Sequence, residues 1–364
     1  MSQKGLIFKK AWFYFFIVKL LYMFLALFVY SKFTELGDTS AYLSGRYYDV
    51  SRMFTESNYL IGTFGKISSS ILGTTFGNLP FVIVSFYGIY YPVKRINLTN
   101  KQLYILLTLL SLPSFGIWTS ICSKESLSVF FMGIFLGYII EMINNQSPKL
   151  KLIHFIALYL MLLIKPQYSV AIFSLIVLIK IYSITALDAY KKIFIFLLYL
   201  LVSITALYIF RDLIDQLSFM MPKHFGYAGT GATRENIYIV EQYDIFFNAP
   251  YNMFLAFWGP TISEVIQKPI NGLVFIETMI IFGFFVYLIL KLLIRIFLTR
   301  KLNILHLTVV VTSTFWILFA HMPFGLFNYG SAVRYRESFY SFLVILLFYI
   351  FIKSSNKKMI KGGV

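Results

Sequence analysis

Ten stretches of this sequence are apolar for long enough to be read as membrane spans. The hydrocarbon core of a bilayer takes about 20 apolar helical residues, and somewhat fewer where flanking side chains snorkel. By that measure the spans fall at 12–30, 77–93, 103–119, 127–143, 152–166, 168–186, 193–210, 272–293, 305–325 and 338–352, the fifth short and the second polar at its start. Only 13% of the residues are charged, against 59% hydrophobic, where soluble chains carry about 25% charged. The expected fold class is an all-α polytopic integral membrane protein with about ten transmembrane helices, one transmembrane domain over 1–364.

The positions of the basic residues set the expected orientation, because short cytoplasmic loops retain Lys and Arg. Lys4, Lys9 and Lys10 precede the first span, which is too long and lacks the small-residue cleavage site of a signal peptide, so it is read as retained. With that end inside, Lys94, Arg95 and Lys101, then Lys149 and Lys151, then Lys180, Lys191 and Lys192, also fall inside. So do Lys291, Arg295, Arg300 and Lys301, and the tail with Lys353, Lys357, Lys358 and Lys361. Both termini are therefore expected in the cytoplasm. The net charge of +17 belongs to topology and does not imply a nucleic-acid partner; the expected partner is the lipid bilayer.

Polar complexity gathers on the other side, in a first outer loop at 31–78 and a large outer loop at 211–271 with partly helical interfacial segments. The inner loops hold no Walker or dinucleotide glycine motif, and no HExxH, paired-histidine or DxD spacing occurs, so neither cofactor nor metal is expected. The lone Cys122 excludes an intramolecular disulfide framework. No internal repeat stands out.

Each candidate for chemistry has a plain structural alternative. Asp38, in GDTSAYLS, is placed to face a membrane-embedded substrate beside Tyr42, Tyr47 and Tyr48, but GDTS is also a good helix N-cap. Lys124 and Glu125 sit in WTSICSKESL at an expected outer turn, where Lys124 can bind phosphate or Ser123 can simply cap a helix. Lys165, before Pro166, is either a phosphate ligand or an interfacial anchor. In the large loop, His224, Glu235, Glu241 and Asp244 are candidate bases around the glycine-rich GYAGTGAT run, and Arg234 adjoins them. Arg334 and Arg336, in NYGSAVRYRES, are read as standing just outside the last span, with Arg211 available from the end of the seventh. Guanidinium groups bind phosphate oxygens in pairs and keep their charge in a low dielectric, which is what a lipid-linked pyrophosphate needs. His321 reads as a satisfied buried histidine or a proton carrier, with the first preferred.

The ten-span body, GDTSAYLS, PSFGIWTSICSKESL, the large loop between late spans and NYGSAVRYRES together resemble the bacterial O-antigen and capsule repeat-unit polymerases. More distantly they resemble the GT-C membrane glycosyltransferases. The resemblance implies an enzyme of the bacterial inner membrane that moves a glycan from undecaprenyl pyrophosphate onto a sugar hydroxyl of a new lipid-linked repeat unit. A chain-length regulator and a flippase of the same pathway would be its partners. On this chain Arg334, Arg336, Arg211, Arg234, Lys124 and Lys165 would hold the pyrophosphate, and Glu235 or His224 would be the base. A GT-C transferase using a polyprenyl-phosphate sugar would use Asp38 instead. A lipid-linked oligosaccharide transporter is the third reading. It needs charges inside the spans, where only Lys19, Glu141 and Glu277 qualify.

Overall fold

The computed structural model describes residues 3–144, 146–184, 188–227, 233–299 and 303–356. The loop residues 228–232 and the basic Arg300, Lys301, Lys357, Lys358 and Lys361 lie outside the described residues. Every regular element among the described residues is helical. The chain divides into two units, one of Met1–Ser169 with Glu337–Phe348, the other of Val170–Arg336 with Tyr349–Val364.

The first unit opens with α1 (Gln3–Phe28), a short 3-10 turn (Tyr30–Lys32) and α2 (Thr39–Ser44). Then come α3 (Ser57–Phe76) and α4 (Leu79–Val93), bent by 95° where they meet. Gly73 makes the bend possible with φ 78°, a left-handed backbone that costs glycine nothing sterically. The buried Asn78 closes it, its Nδ2 donating to the Thr74 and Thr75 carbonyls. The expected span at 77–93 is therefore the 15-residue arm of a bent pair. Its other arm, α3, lies inside what the sequence suggested was an outer loop.

The expected span at 103–119 is not one helix. It is α5 (Asn100–Leu109) followed by α6 (Pro113–Trp118). Thr99 and Gln102 form a capping box that starts α5, and Pro113 separates the two. Proline lacks an N–H and disfavours a helical backbone in the residue before it; Leu112 accordingly sits at φ −63°, ψ 145°. At about 1.5 Å per residue, neither piece is long enough to cross a bilayer alone.

Next comes α7 (Lys124–Ile143), apolar all round and mostly buried, as a helix without a lipid-facing side should be. It lies against α4 at glycine contacts: a Cβ at Gly133 would stand 1.7 Å from the Gly88 carbonyl oxygen, and one at Gly88 would stand 2.5 Å from Phe130 Cα. Small residues of this kind let membrane helices approach backbone to backbone. α8 (Leu152–Ile164) and the start of α9 (Gln167–Ile184) complete this part of the chain, with residues 337–348 of the last helix added.

The second unit continues α9 and adds α10 (Ala189–Ile209), α11 (Arg211–Tyr227), α12 (Asp244–Phe247), α13 (Ala249–Trp258) and α14 (Ile262–Gln267). It then has α15 (Asn271–Thr299), α16 (Ile304–Gly325) and the remainder of α17 (Tyr329–Asn356). α13 packs on α16. Gly325 lets them approach, its Cβ position lying 2.9 Å from the Ala256 oxygen, and the buried His321 donates from Nε2 to that carbonyl at 3.1 Å. His321 is thus the satisfied core histidine the sequence suggested.

Among the described residues six helices are long and apolar enough to cross a membrane: Phe8–Lys32, Lys124–Ile143, Tyr190–Ile209, Asn271–Ile294, Ile304–Gly325 and Tyr329–Ser354. The bent pair makes a seventh if it is counted as one span. Leu152–Ile164 and Gln167–Ser183 are shorter apolar helices. The protein is a polytopic, membrane-embedded, all-helical chain.

Candidate functional site

The densest buried polar structure in the first unit is the break between α6 and α7. Thr119, Ser120, Cys122, Ser123, Glu125, Ser126 and Ser128 are all buried, so the expected outer turn at 120–126 is an interior feature. Irregular backbone is tolerated at membrane depth only where protein or a water-filled cavity satisfies its polar groups, and here side chains from distant helices do so. Lys19, buried in the middle of α1, donates from Nζ to the Thr119 carbonyl at 3.2 Å and to Thr119 Oγ1 at 2.8 Å. Ser85 Oγ donates to the same carbonyl at 2.6 Å. Asn78 Oδ1 accepts from Cys122 N at 2.7 Å, and Thr39 Oγ1 donates to the Cys122 carbonyl at 2.9 Å. Ser123 then starts α7 as a true N-cap, its Oγ accepting from Ser126 N at 3.1 Å.

This start of α7 carries Glu125, whose side chain is fully buried. Lys165, in the break between α8 and α9, brings its Nζ to 3.7 Å from Glu125 Oε1. The same ammonium donates to Ser338 Oγ at 2.6 Å and lies 6.0 Å from the Tyr168 ring centroid. Three distant segments thus meet at one buried acid, one buried base and one hydroxyl. A carboxylate can take a proton from a hydroxyl, and an ammonium can hold an anionic oxygen.

The other candidate residues are distributed as follows. Asp38 stands at the N-cap position of α2, as GDTS suggested, but without a capping hydrogen bond from its side chain; Tyr42 Oη lies 3.5 Å from Asp38 Oδ2. Lys124 is the first residue of α7 and half-buried. Glu235 is exposed in the loop after the glycine-rich run. His224 falls on the last turns of α11, and its side chain lies outside the described residues.

Arg234 is enclosed by protein acceptors. It makes a two-point ion pair with Glu264, Nε to Oε1 at 2.7 Å and Nη2 to Oε2 at 3.0 Å, and donates further to the Gly259 and Leu326 carbonyls at two nitrogens. Burial alone would raise the Glu264 carboxyl. The Arg234 guanidinium and the Thr261 N–H together outweigh it and hold the group below the usual carboxylate range. Asp244 is held low by the N–H groups of Glu241 and Val240.

The arginines of NYGSAVRYRES are not outside the last helix, because that helix begins at Tyr329 and contains them. Asn328 and its downstream neighbours favour helix here: Asn328 Oδ1 accepts from Ser331 N at 2.9 Å. Arg336 is completely buried, donating to the Phe257 carbonyl at 3.2 Å and to Thr278 Oγ1 at 3.0 Å. Arg334 is half-buried, its guanidinium 5.6 Å from the Tyr335 ring. Arg211 begins α11 beside Asp212 and the Tyr208 and Tyr243 rings.

Ser338, Thr278 and Glu264 carried no sequence signal of their own. Glu125 was visible as a charge beside Lys124, but nothing in its neighbourhood pointed to Lys165. Among the described residues, no group of His, Cys, Asp and Glu could hold a metal ion.

Fold and site define the class: an integral membrane protein of the all-helical kind, with broken helices and a buried acid–base pair. No protein-family model matches the chain, and neither a curated protein nor a solved structure does.

Proposed function

We propose that this chain is a glycosyltransferase of the bacterial inner membrane that polymerises lipid-linked oligosaccharide repeat units on the outer face. The observation that carries the reading is the buried Glu125–Lys165–Ser338 group, where a hydroxyl can be deprotonated and a phosphate oxygen held away from water. In the reaction an acceptor sugar hydroxyl attacks the anomeric carbon of the donor glycan. The bond from that carbon to the pyrophosphate breaks, and undecaprenyl pyrophosphate leaves with the electron pair. Glu125 receives the hydroxyl proton, while Lys165, with Lys124 nearby on α7, stabilises the departing phosphate charge. Arg334 keeps the phosphate-binding role suggested by guanidinium chemistry, whereas Arg336, buried against the Phe257 carbonyl and Thr278, does not. Both termini cytoplasmic, and a chain-length regulator and flippase as partners, belong to the same reading.

Translocation of a lipid-linked glycan is the second reading. It is favoured by the buried Lys19, Glu125, Lys165, Glu277 and Arg336, more charge inside the protein than the sequence suggested.

The deciding experiment is gel analysis of surface glycan from a deletion strain complemented with wild type, Glu125→Gln or Arg334→Ala. The polymerase reading expects lipid A core capped by a single repeat unit in the deletion strain, and no ladder from either variant although both insert in the membrane. An incomplete repeat unit would point to a single-sugar transferase relying on Asp38. Absence of any capped core would point to translocation.

A further inference from the structure

Tyr243 is the one non-glycine residue with a left-handed backbone among those described, at φ 68°. Such a backbone is strained for a residue with a Cβ and persists where its surroundings over-determine it. Two carboxylates of α11 do so here. Tyr243 N–H donates to Asp215 Oδ1 at 2.9 Å, and the phenol donates to Asp212 Oδ1. The Arg211 guanidinium lies 3.9 Å from Asp212, 4.3 Å from the Tyr208 ring and 5.9 Å from the Tyr243 ring. Asp215 is buried and serves as the anchor, whereas Asp212 and Arg211 keep 57% and 36% of their side-chain surface exposed.

The result is a phenol, a carboxylate and a planar guanidinium displayed together beside two aromatic rings. Asp212 offsets the positive charge of Arg211, which makes this a poor anion site and changes the role the sequence suggested for that arginine. The same groups match a neutral polyol: the carboxylate accepts from paired hydroxyls, the guanidinium donates to ring and hydroxyl oxygens, and an aromatic face covers the apolar side of a pyranose. Ligands with one apolar face and many hydroxyls are sugars.

We propose that Arg211, Asp212 and Tyr243 form a subsite for the hydroxyl groups of a glycan. The proposal rests on the reading that the protein works on lipid-linked glycans, and it assigns Arg211 to the sugar and not to the pyrophosphate. The left-handed turn at Tyr243 is what aims the ring.

The test is a saturation-transfer NMR titration of the full chain in nanodiscs. The probe is oligosaccharide repeat units released by mild acid from the host strain's own surface polysaccharide. Asp212→Asn and Tyr243→Phe are each expected to raise Kd about tenfold without lowering the melting temperature. Tyr243→Gly, which relieves the left-handed strain but removes the ring, is expected to lose binding too. If a variant fails to insert, Arg211→Lys is read in its place, since it keeps the charge and loses the planar fork. Wild-type binding that all variants match would overturn the subsite and leave the polymerase reading untouched. A wild type that does not bind at all would overturn both.

Discussion

Lys165 Nζ lies 3.7 Å from the Glu125 carboxylate, although the two residues come from different helix breaks and both are buried. Breaking a buried pair leaves one charge without its counter-ion and costs roughly 3–5 kcal/mol, whereas replacing both partners by apolar residues of similar size is often tolerated. Glu125→Gln and Lys165→Met should therefore each lower the melting temperature in nanodiscs. The double change Glu125→Leu with Lys165→Met should recover most of that loss without restoring the glycan ladder. A double variant that rebuilds the ladder would remove both residues from the chemistry.

Arg234 and Glu264 make a different prediction, because their role is to tie the 233–234 segment to α14 and the chain after α16. The Glu264 carboxyl is depressed in the folded protein. A depressed carboxyl contributes stability that is present above its unfolded value and is lost as pH falls through the folded one. Wild-type melting temperature should thus decline progressively below about pH 5. Glu264→Gln should lose roughly 2–3 kcal/mol at neutral pH and show a flatter acid limb. Parallel acid limbs in the two proteins would refute this role for the pair.

Glycine contacts between α4 and α7 give a steric test. Gly133→Ala would push a methyl into the Gly88 carbonyl and should cost about 3 kcal/mol or more. Gly283→Ala meets nothing within 4 Å and should be neutral or gain up to about 1 kcal/mol of helix propensity. Comparing the yield of monodisperse protein in detergent separates the two, and equal yields would contradict the close approach.

Cys122 is the only cysteine, and it is buried with a free thiol. Buried structural thiols are inert towards alkylation. The folded protein should label with N-ethylmaleimide at least about a hundredfold more slowly than the SDS-denatured chain, a ratio that mass spectrometry reads directly. Rapid labelling of the folded protein would place the 119–123 break at a wet surface.

The long helices were legible because their apolar runs are uninterrupted, as in α10 and α15, where no competing signal intrudes. The break between α5 and α6 was missed although Pro113 marks it, because the apolar residues on either side concealed it from a hydropathy ruler. α3 was missed because its sequence, SNYLIGTFGKISSSILGTTF, dilutes hydropathy with Ser, Thr and Gly. Its buried face includes Gly62, Thr63, Gly65, Ser68 and Ser69, which pack by being small. The site was legible only as separate charges. Lys165 and Glu125 were visible, yet their meeting depends on two helix breaks forty residues apart, and Ser338 enters from a third segment. Arg336 shows the converse error: a charge near a span end was read as exposed, while the helix that continues through it carries it into the interior.

The contact of Gly133 with Gly88 also limits how any molecule can reach Glu125. Where a methyl group does not fit between two backbones, neither a polyprenyl chain nor a file of water molecules can pass. Gly133 lies two turns below Glu125 on α7, so the flank of that helix facing α4 is sealed beneath the buried acid. Any molecule that reaches Glu125 must approach along another side of α7 or from above its first turn.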